Sequence, residues 1–402
     1  MIGLVAAIAL AATLGPPEPY TRTTRGPDAV ALEIACRSFK SNQEGAPTVQ
    51  LVGVAHLGSP EYYDAIEQQL AAHPLVLFES VMPSGARVPG GADDIERAAS
   101  TRRTMLWLRD LIDRYRVSTG ALPTSLDQLG TTAGADSRLN GFVSAVSRDG
   151  WGNSFELAAA DGGFRLISHG SDGLPGGDGA AEDLRLRERR GKLKQTQDGL
   201  QAELAHAIGL SFQLDEVDYA QPNWQCSDMT EDELAAEFAQ RGLDFDDFSG
   251  SFRTGTIGGD AAASLLRLIK LIDAISNGRV RHMVRAVMAE ALGADTSEVG
   301  LAMGKELREV ILDERNAVVW KSLQEALARP EPPKSIAIFY GAAHMADFER
   351  RLAELGYQPT DAVWLKCFEA DSRIAGLTEE DTAAMREQIQ KAMRKPVAGG
   401  GD

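Results

Sequence analysis

Apolar residues dominate 29–39 (AVALEIACRSF) and 48–55 (TVQLVGVA), with a polar, Gly-containing stretch at 40–47 between them, a pattern that predicts two strands joined as a hairpin. Helical spacing follows at 61–72 (EYYDAIEQQLAA), then a short apolar run at 74–79 (PLVLFE). The segment 48–79 therefore reads as a β-α-β unit and implies a parallel strand pair. The pattern breaks at 83–95 (PSGARVPGGADDI), whose Gly, Pro and Asp mark a boundary. Beyond a helix near 97–118 come short strands and turns, crowded with turn formers over Asp149–Asp183, which read as a separate small module. From about 186 helices are predicted near 186–209, 231–242, 260–292, 297–328, 345–356 and 378–394, with one strand at 335–340 (SIAIFY) interrupting them.

The expected organisation has an apolar segment at 1–20 and a core whose first part is 28–95. An inserted module at 96–185 follows, then the second part of the core at 186–395 and a disordered tail at 396–402. The fold class is α/β (α+β), a short central sheet with many helices and a small α+β insertion. A length of 402 residues accommodates two or three domains. A net charge of −17 repels phosphate backbones and argues against nucleic acid. Residues 2–14 (IGLVAAIALAATL) fall short of the ~20 needed to span a bilayer. They suit a signal-peptide core, and Ala9-Leu10-Ala11 supplies a cleavage-type small-x-small pattern. Export to the periplasm or beyond is expected, with the cytoplasm as the alternative if the segment is not a signal, and no stable membrane span is expected after its removal. Cys36, Cys226 and Cys367 form no CxxC pair and allow at most one disulfide.

Two of the six histidines share a local context, Gly53-Val54-Ala55-His56 and Gly341-Ala342-Ala343-His344, each after an apolar strand. Beyond the carboxyl ends of parallel strands, side chains leave the packed layer and can act on ligands. The strand at 74–79 ends in Glu79, which places a carboxylate on the same rim. Two imidazoles and a carboxylate can bind one divalent metal with positions open for water. Without metal, Glu79 can orient His56 as a general base.

The order LVGVAHLG (51–58), PLVLFE (74–79), IGLSFQLDEVDYAQPNWQCSDM (208–229), DERN (313–316) and IAIFYGAAHMADFERRLAELGY (336–357) resembles the TraB/TIKI superfamily, with erythromycin esterases and ChaN-like haem-binding lipoproteins as distant relatives. The resemblance implies that His56, Glu79 and His344 are active-site residues and ligands of a divalent transition metal (Mn, Co or Zn), supported by Arg315 and Asn316. It also implies a hydrolase of peptides or small esters.

Within the insertion, Leu122-Pro123-Thr124-Ser125-Leu126, Asp149-Gly150-Trp151-Gly152-Asn153 and Ser168-His169-Gly170-Ser171-Asp172-Gly173 resemble, in order, the globular part of the major pseudopilin of type II secretion systems (GspG). Carboxylates on a Gly-rich loop suit Ca²⁺. The resemblance implies a calcium site using main-chain oxygens of Leu166 and Ser168 with Asp172 and Asp183. A pseudopilin polymerises through a long apolar helix, whereas the helix at 97–118 is charged and internal, so assembly as a pilus subunit is not expected. The primary expectation is an exported metal-dependent hydrolase, a peptidase, carrying a calcium-binding insertion. The alternatives are a secretion-associated scaffold without catalysis and a metal-free esterase using His56 and Glu79.

Overall fold

The computed structural model describes residues 18–88, 90–131, 137–160, 163–187, 205–246, 248, 273, 276–293 and 304–393. The apolar segment 2–14, most of the helix expected near 186–209 and the tail from 396 lie outside the described residues. The fold is mixed α/β, and the chain divides into two compact units.

The first unit gathers described residues from Met1–Glu79, Gln197–Val217 and Arg241–Asp402. Its sheet is built on Ser335–Gly341, which pairs in parallel with Thr48–Val54 on one side and Leu75–Phe78 on the other. The β-α-β unit at 48–79 is therefore present, but its two strands are separated by a third from the far end of the chain. Ser335–Gly341 is buried along all but its ends, as expected of a central parallel strand covered on both faces. Ala29–Ser41 pairs antiparallel with Thr48–Val54, giving the expected hairpin. Ala29–Ser41 also carries Thr21–Arg25 and the 15-residue strand Tyr357–Asp371, both antiparallel. No strand was expected at 357–371: it carries Pro359, has register shifts at Pro359/Asp361 and Lys366/Phe368, and is exposed from Gln358 to Val363. Those are marks of an edge, where pairing rather than a buried apolar face defines the strand.

The second unit comprises described residues from Ser80–Thr196 and Asp218–Gln240. It begins before residue 96 and takes in a segment that the sequence pattern placed with the core. Its helix Asp94–Thr119 opens with a reciprocal capping box between Asp93 and Glu96. Met105, Leu108 and Ile112 form one helix stripe, packed with Leu129, Val143, Val146, Phe164 and Leu166. Three antiparallel strands, Glu156–Ala160, Gly163–Ser168 and Leu184–Arg187, complete the unit, with Gly163–Ser168 in the middle. The returning segment is tied in by Met82 bridging Thr230 and by Arg87 pairing Glu233 at 2.7 Å.

The three cysteines are free, Cys36 and Cys367 within the first unit and Cys226 within the second. Burial pushes the Cys36 thiol up to about 12. Among the described residues no helix is long and apolar enough to cross a membrane.

Candidate functional site

The parallel strands of the first unit end together, and the residues singled out from the sequence meet there. Glu79 follows Leu75–Phe78, and its backbone N–H donates to the Phe339 carbonyl at 3.0 Å, continuing the ladder by one step. Its carboxylate accepts from Arg315 through Oε1 at 2.6 Å and from the Gly341 backbone N–H through Oε2 at 2.6 Å. A Cβ on Gly341 would stand 3.3 Å from Glu79 Oε2, so the glycine permits this close approach. Burial alone would raise the Glu79 carboxyl. Arg315 foremost, then His344, His56 and the Gly341 amide, outweigh it and hold the group well below the usual carboxylate range.

His344 sits in a single helical turn after Ser335–Gly341, 4% exposed, with Nε2 3.6 Å from Glu79 Oε1 and Nδ1 2.6 Å from Asn316 Oδ1. Arg315 and Asn316 begin the helix Arg315–Leu327 directly after a π-helical stretch at Glu309–Glu314. Such wide turns recur where a helix must re-aim side chains at a site. Both residues are buried, Arg315 toward Glu79 and Asn316 toward His344.

His56 is exposed at the mouth of this cluster and contributes to lowering Glu79. A short antiparallel pairing of Leu57–Gly58 with Ser211–Phe212 brings Gln213 beside it. Gln213 N–H donates to the His56 carbonyl at 2.9 Å, and its Oε1 lies 2.9 Å from His56 Nδ1. Gln213 and Asp347, which bonds Asn316 at 2.9 Å, lie inside the segments 208–229 and 336–357 that carry the superfamily resemblance, but neither was assigned a role from the sequence. Only the pairing of remote segments reveals them.

The arrangement fits a divalent transition metal poorly. Arg315 already lies on Glu79 Oε1, and a dication at the same oxygen would meet that guanidinium charge. Among the described residues no group of three or more His, Cys, Asp or Glu is placed to hold a metal ion. The cluster instead presents two imidazoles around an ionised carboxylate and an arginine, a set able to move a proton and steady a developing negative charge.

In the second unit, Asp149 organises the turn expected at 149–153. Its Oδ1 accepts from the N–H groups of Trp151 and Asn153, and its Oδ2 accepts from the Ser168 hydroxyl at 2.6 Å. Trp151 Nε1 donates to Asp94 at 2.9 Å, anchoring the turn to the long helix. A Cβ on Gly150 would collide with the Arg97 carbonyl, so only glycine fits at that approach.

Three of the four residues expected to hold calcium, Asp183, Asp172 and Leu166, are otherwise engaged. Asp183 pairs with His169 Nδ1 at 3.0 Å and with Arg185 at 2.9 Å. Asp172 Oδ1 accepts from the Leu174 N–H at 3.0 Å, and Leu166 is held in the ladder between Leu157 and Leu186. The Asp183 hydrogen bond raises the His169 imidazole against its burial, with Glu156 adding to the rise. Two basic side chains thus stand on the carboxylate where a cation was expected, and the donor set fits Ca²⁺ poorly. Chelation with EGTA is expected to leave the melting temperature of the second unit within about 2 °C of its value in added calcium. An ion present at 100 times its Kd would contribute about 2.7 kcal/mol. A fall of about 10 °C on chelation, what that loss means for a small domain, would restore the calcium reading.

Comparison with known proteins gives a match to the family described as "Type II secretion system (T2SS), protein G" over residues 91–187. Among curated proteins, the type II secretion system core protein G of Xanthomonas campestris pv. campestris is 36% identical over 118 residues, covering 28% of this chain and 82% of that protein. No solved structure matches.

Proposed function

We propose, for a chain that belongs through residues 91–187 to the type II secretion system protein G family, that it works in the cell envelope as an accessory of a type II secretion apparatus, attached by its protein-G-like second unit. One observation carries the reading: the 36% identity spans 82% of the matched core protein, and the family match at residues 91–187 falls within one compact unit here. The helix that opens the matched region is capped by Asp93 and carries charged residues along its length, which supports docking rather than membrane-embedded polymerisation. The full chain is expected to bind purified protein G or the secretion components that contact it. Loss of binding in Gly150→Ala, with the first unit still folded, would support attachment through the second unit. Unchanged binding in that variant would overturn it.

The convergence of His56, Glu79, His344, Arg315 and Asn316 favours a second role for the first unit, a metal-free hydrolase of peptides or small esters with the TraB/TIKI-like arrangement. Glu79 is held ionised and is a weak base, so the imidazoles supply the proton transfer. In this reading His56 takes a proton from water as its oxygen attacks the carbonyl, then returns it to the leaving alkoxide or amine. Glu79 steadies the intervening imidazolium. Hydrolysis of p-nitrophenyl acetate or a fluorogenic peptide mixture is expected to survive chelators and to fall at least about 100-fold in His56→Ala, the usual contribution of a general base. Activity that disappears with chelation would instead favour the metal-dependent peptidase, and no turnover of either substrate class would leave the first unit a non-catalytic scaffold.

A further inference from the structure

We infer that Asp347 is a positioning residue that fixes the tautomer of His344 through Asn316. Asp347 stands in the first turn of the helix Met345–Glu354. Its Oδ2 accepts from Asn316 Nδ2 at 2.9 Å and from Arg351 Nε at 2.7 Å, while Oδ1 accepts from Arg350. Burial would raise this carboxyl, but the hydrogen bonds from Arg350 and Arg351 outweigh it, with Asn316 adding to them, and hold it low. The group is therefore an acceptor with no proton to give.

An amide facing an acceptor-only partner must present its NH₂, which leaves the other end of Asn316 no choice. Its carbonyl oxygen points at His344, where Nδ1 lies 2.6 Å away. A ring nitrogen that faces a carbonyl carries the hydrogen, so Nδ1 is the N–H and Nε2 is the lone-pair nitrogen of the neutral ring. That nitrogen lies 3.6 Å from Glu79 Oε1, on the cluster side of the ring. Reversing the amide would set its oxygen against the Asp347 carboxylate and its NH₂ against the imidazole N–H, losing both bonds together. Asn316 is 1% exposed and His344 4%, so water offers little substitute for either. Phe348 stacks with the His344 ring at 6.3 Å between centroids, which holds the ring plane while the amide sets the proton.

The inference rests on reading this cluster as the reactive site, but its test needs no turnover. Nitrogen-15 spectra of the histidine rings report the tautomer directly in the full chain, with His344→Gln assigning the signal. The wild type at pH 8 is expected to show His344 in the Nδ1–H form by more than about tenfold, the preference that one charge-assisted bond supports. In Asp347→Ala, and in Asp347→Asn, whose amide can present either end, the ratio is expected to fall to within about threefold of unity. An Nε2–H form in the wild type, or a ratio unmoved in both Asp347 variants, would overturn the inference. Absence of hydrolysis alongside the expected tautomers would overturn the hydrolase reading and leave the positioning role standing.

Discussion

Replacing Arg315 with Met is expected to cost the first unit about 3–5 kcal/mol, the penalty of leaving a buried charge without its partner. The side chains of Glu79 and Arg315 are 14% and 10% exposed, so water cannot take over at the 2.6 Å contact. The double variant Arg315→Met with Glu79→Gln should recover most of the loss, because the charge that needed compensation is gone. Urea unfolding of the full chain measures both, and a cost below about 1 kcal/mol, the usual worth of an exposed pair, would mean the contact is effectively solvated. The same pair gives acid sensitivity a sign. The folded Glu79 carboxyl lies below its ordinary value of about 4.3, so its stabilisation is fully present above that pH. It is lost as pH falls through the depressed folded value. Glu79→Gln should accordingly show a shallower loss of stability in acid than the wild type.

The second large effect belongs to Asp149. One carboxylate accepts from the N–H groups of Trp151 and Asn153 and from the Ser168 hydroxyl, and the residue is 6% exposed. Asp149→Ala leaves these donors without their acceptor in a buried turn. Bonds to a charged group contribute about 1.5–3 kcal/mol each and do not add fully, so a loss of about 3–5 kcal/mol is expected in the second unit. Asp149→Asn keeps one acceptor oxygen and should cost less than half as much. Near-equal losses in the two variants would show that the turn is held by something other than these bonds.

Much of the candidate site was legible because its residues sit where local pattern is strongest. A glycine three residues before a histidine, directly after an apolar strand, marked both His56 and His344. The strand-end position marked Glu79, and the superfamily resemblance pointed to Arg315 and Asn316. Convergence itself was not legible, since it depends on Ser335–Gly341 entering the sheet between Thr48–Val54 and Leu75–Phe78. No local periodicity records which strand becomes a neighbour. Gln213 escaped notice for the same reason, as a pairing only two residues long delivers it to His56. Tyr357–Asp371 was missed because its exposed half carries polar residues and a proline, and its register is set by Ala29–Ser41. The return of Asp218–Gln240 to the second unit follows from contacts such as Arg87 with Glu233 and the Asp228 carbonyl. These are polar, long-range and invisible to a hydrophobic pattern.

At both sites the donor set fits a cation poorly, for one shared physical reason. In each, basic side chains already neutralise the carboxylate that was expected to bind a cation: Arg315 on Glu79, and His169 with Arg185 on Asp183. A motif fixes which acids are present but not which bases the rest of the fold brings to them.

The most direct test of the account is the affinity of the purified full chain for type II secretion components, measured by surface binding to immobilised protein G and to its immediate assembly partners. Wild type, Gly150→Ala and His344→Gln are compared in buffer with EGTA. Saturable binding is expected of wild type and His344→Gln alike, with its loss in Gly150→Ala. No binding by the wild type, or binding that Gly150→Ala leaves intact, would contradict attachment through the protein-G-like unit.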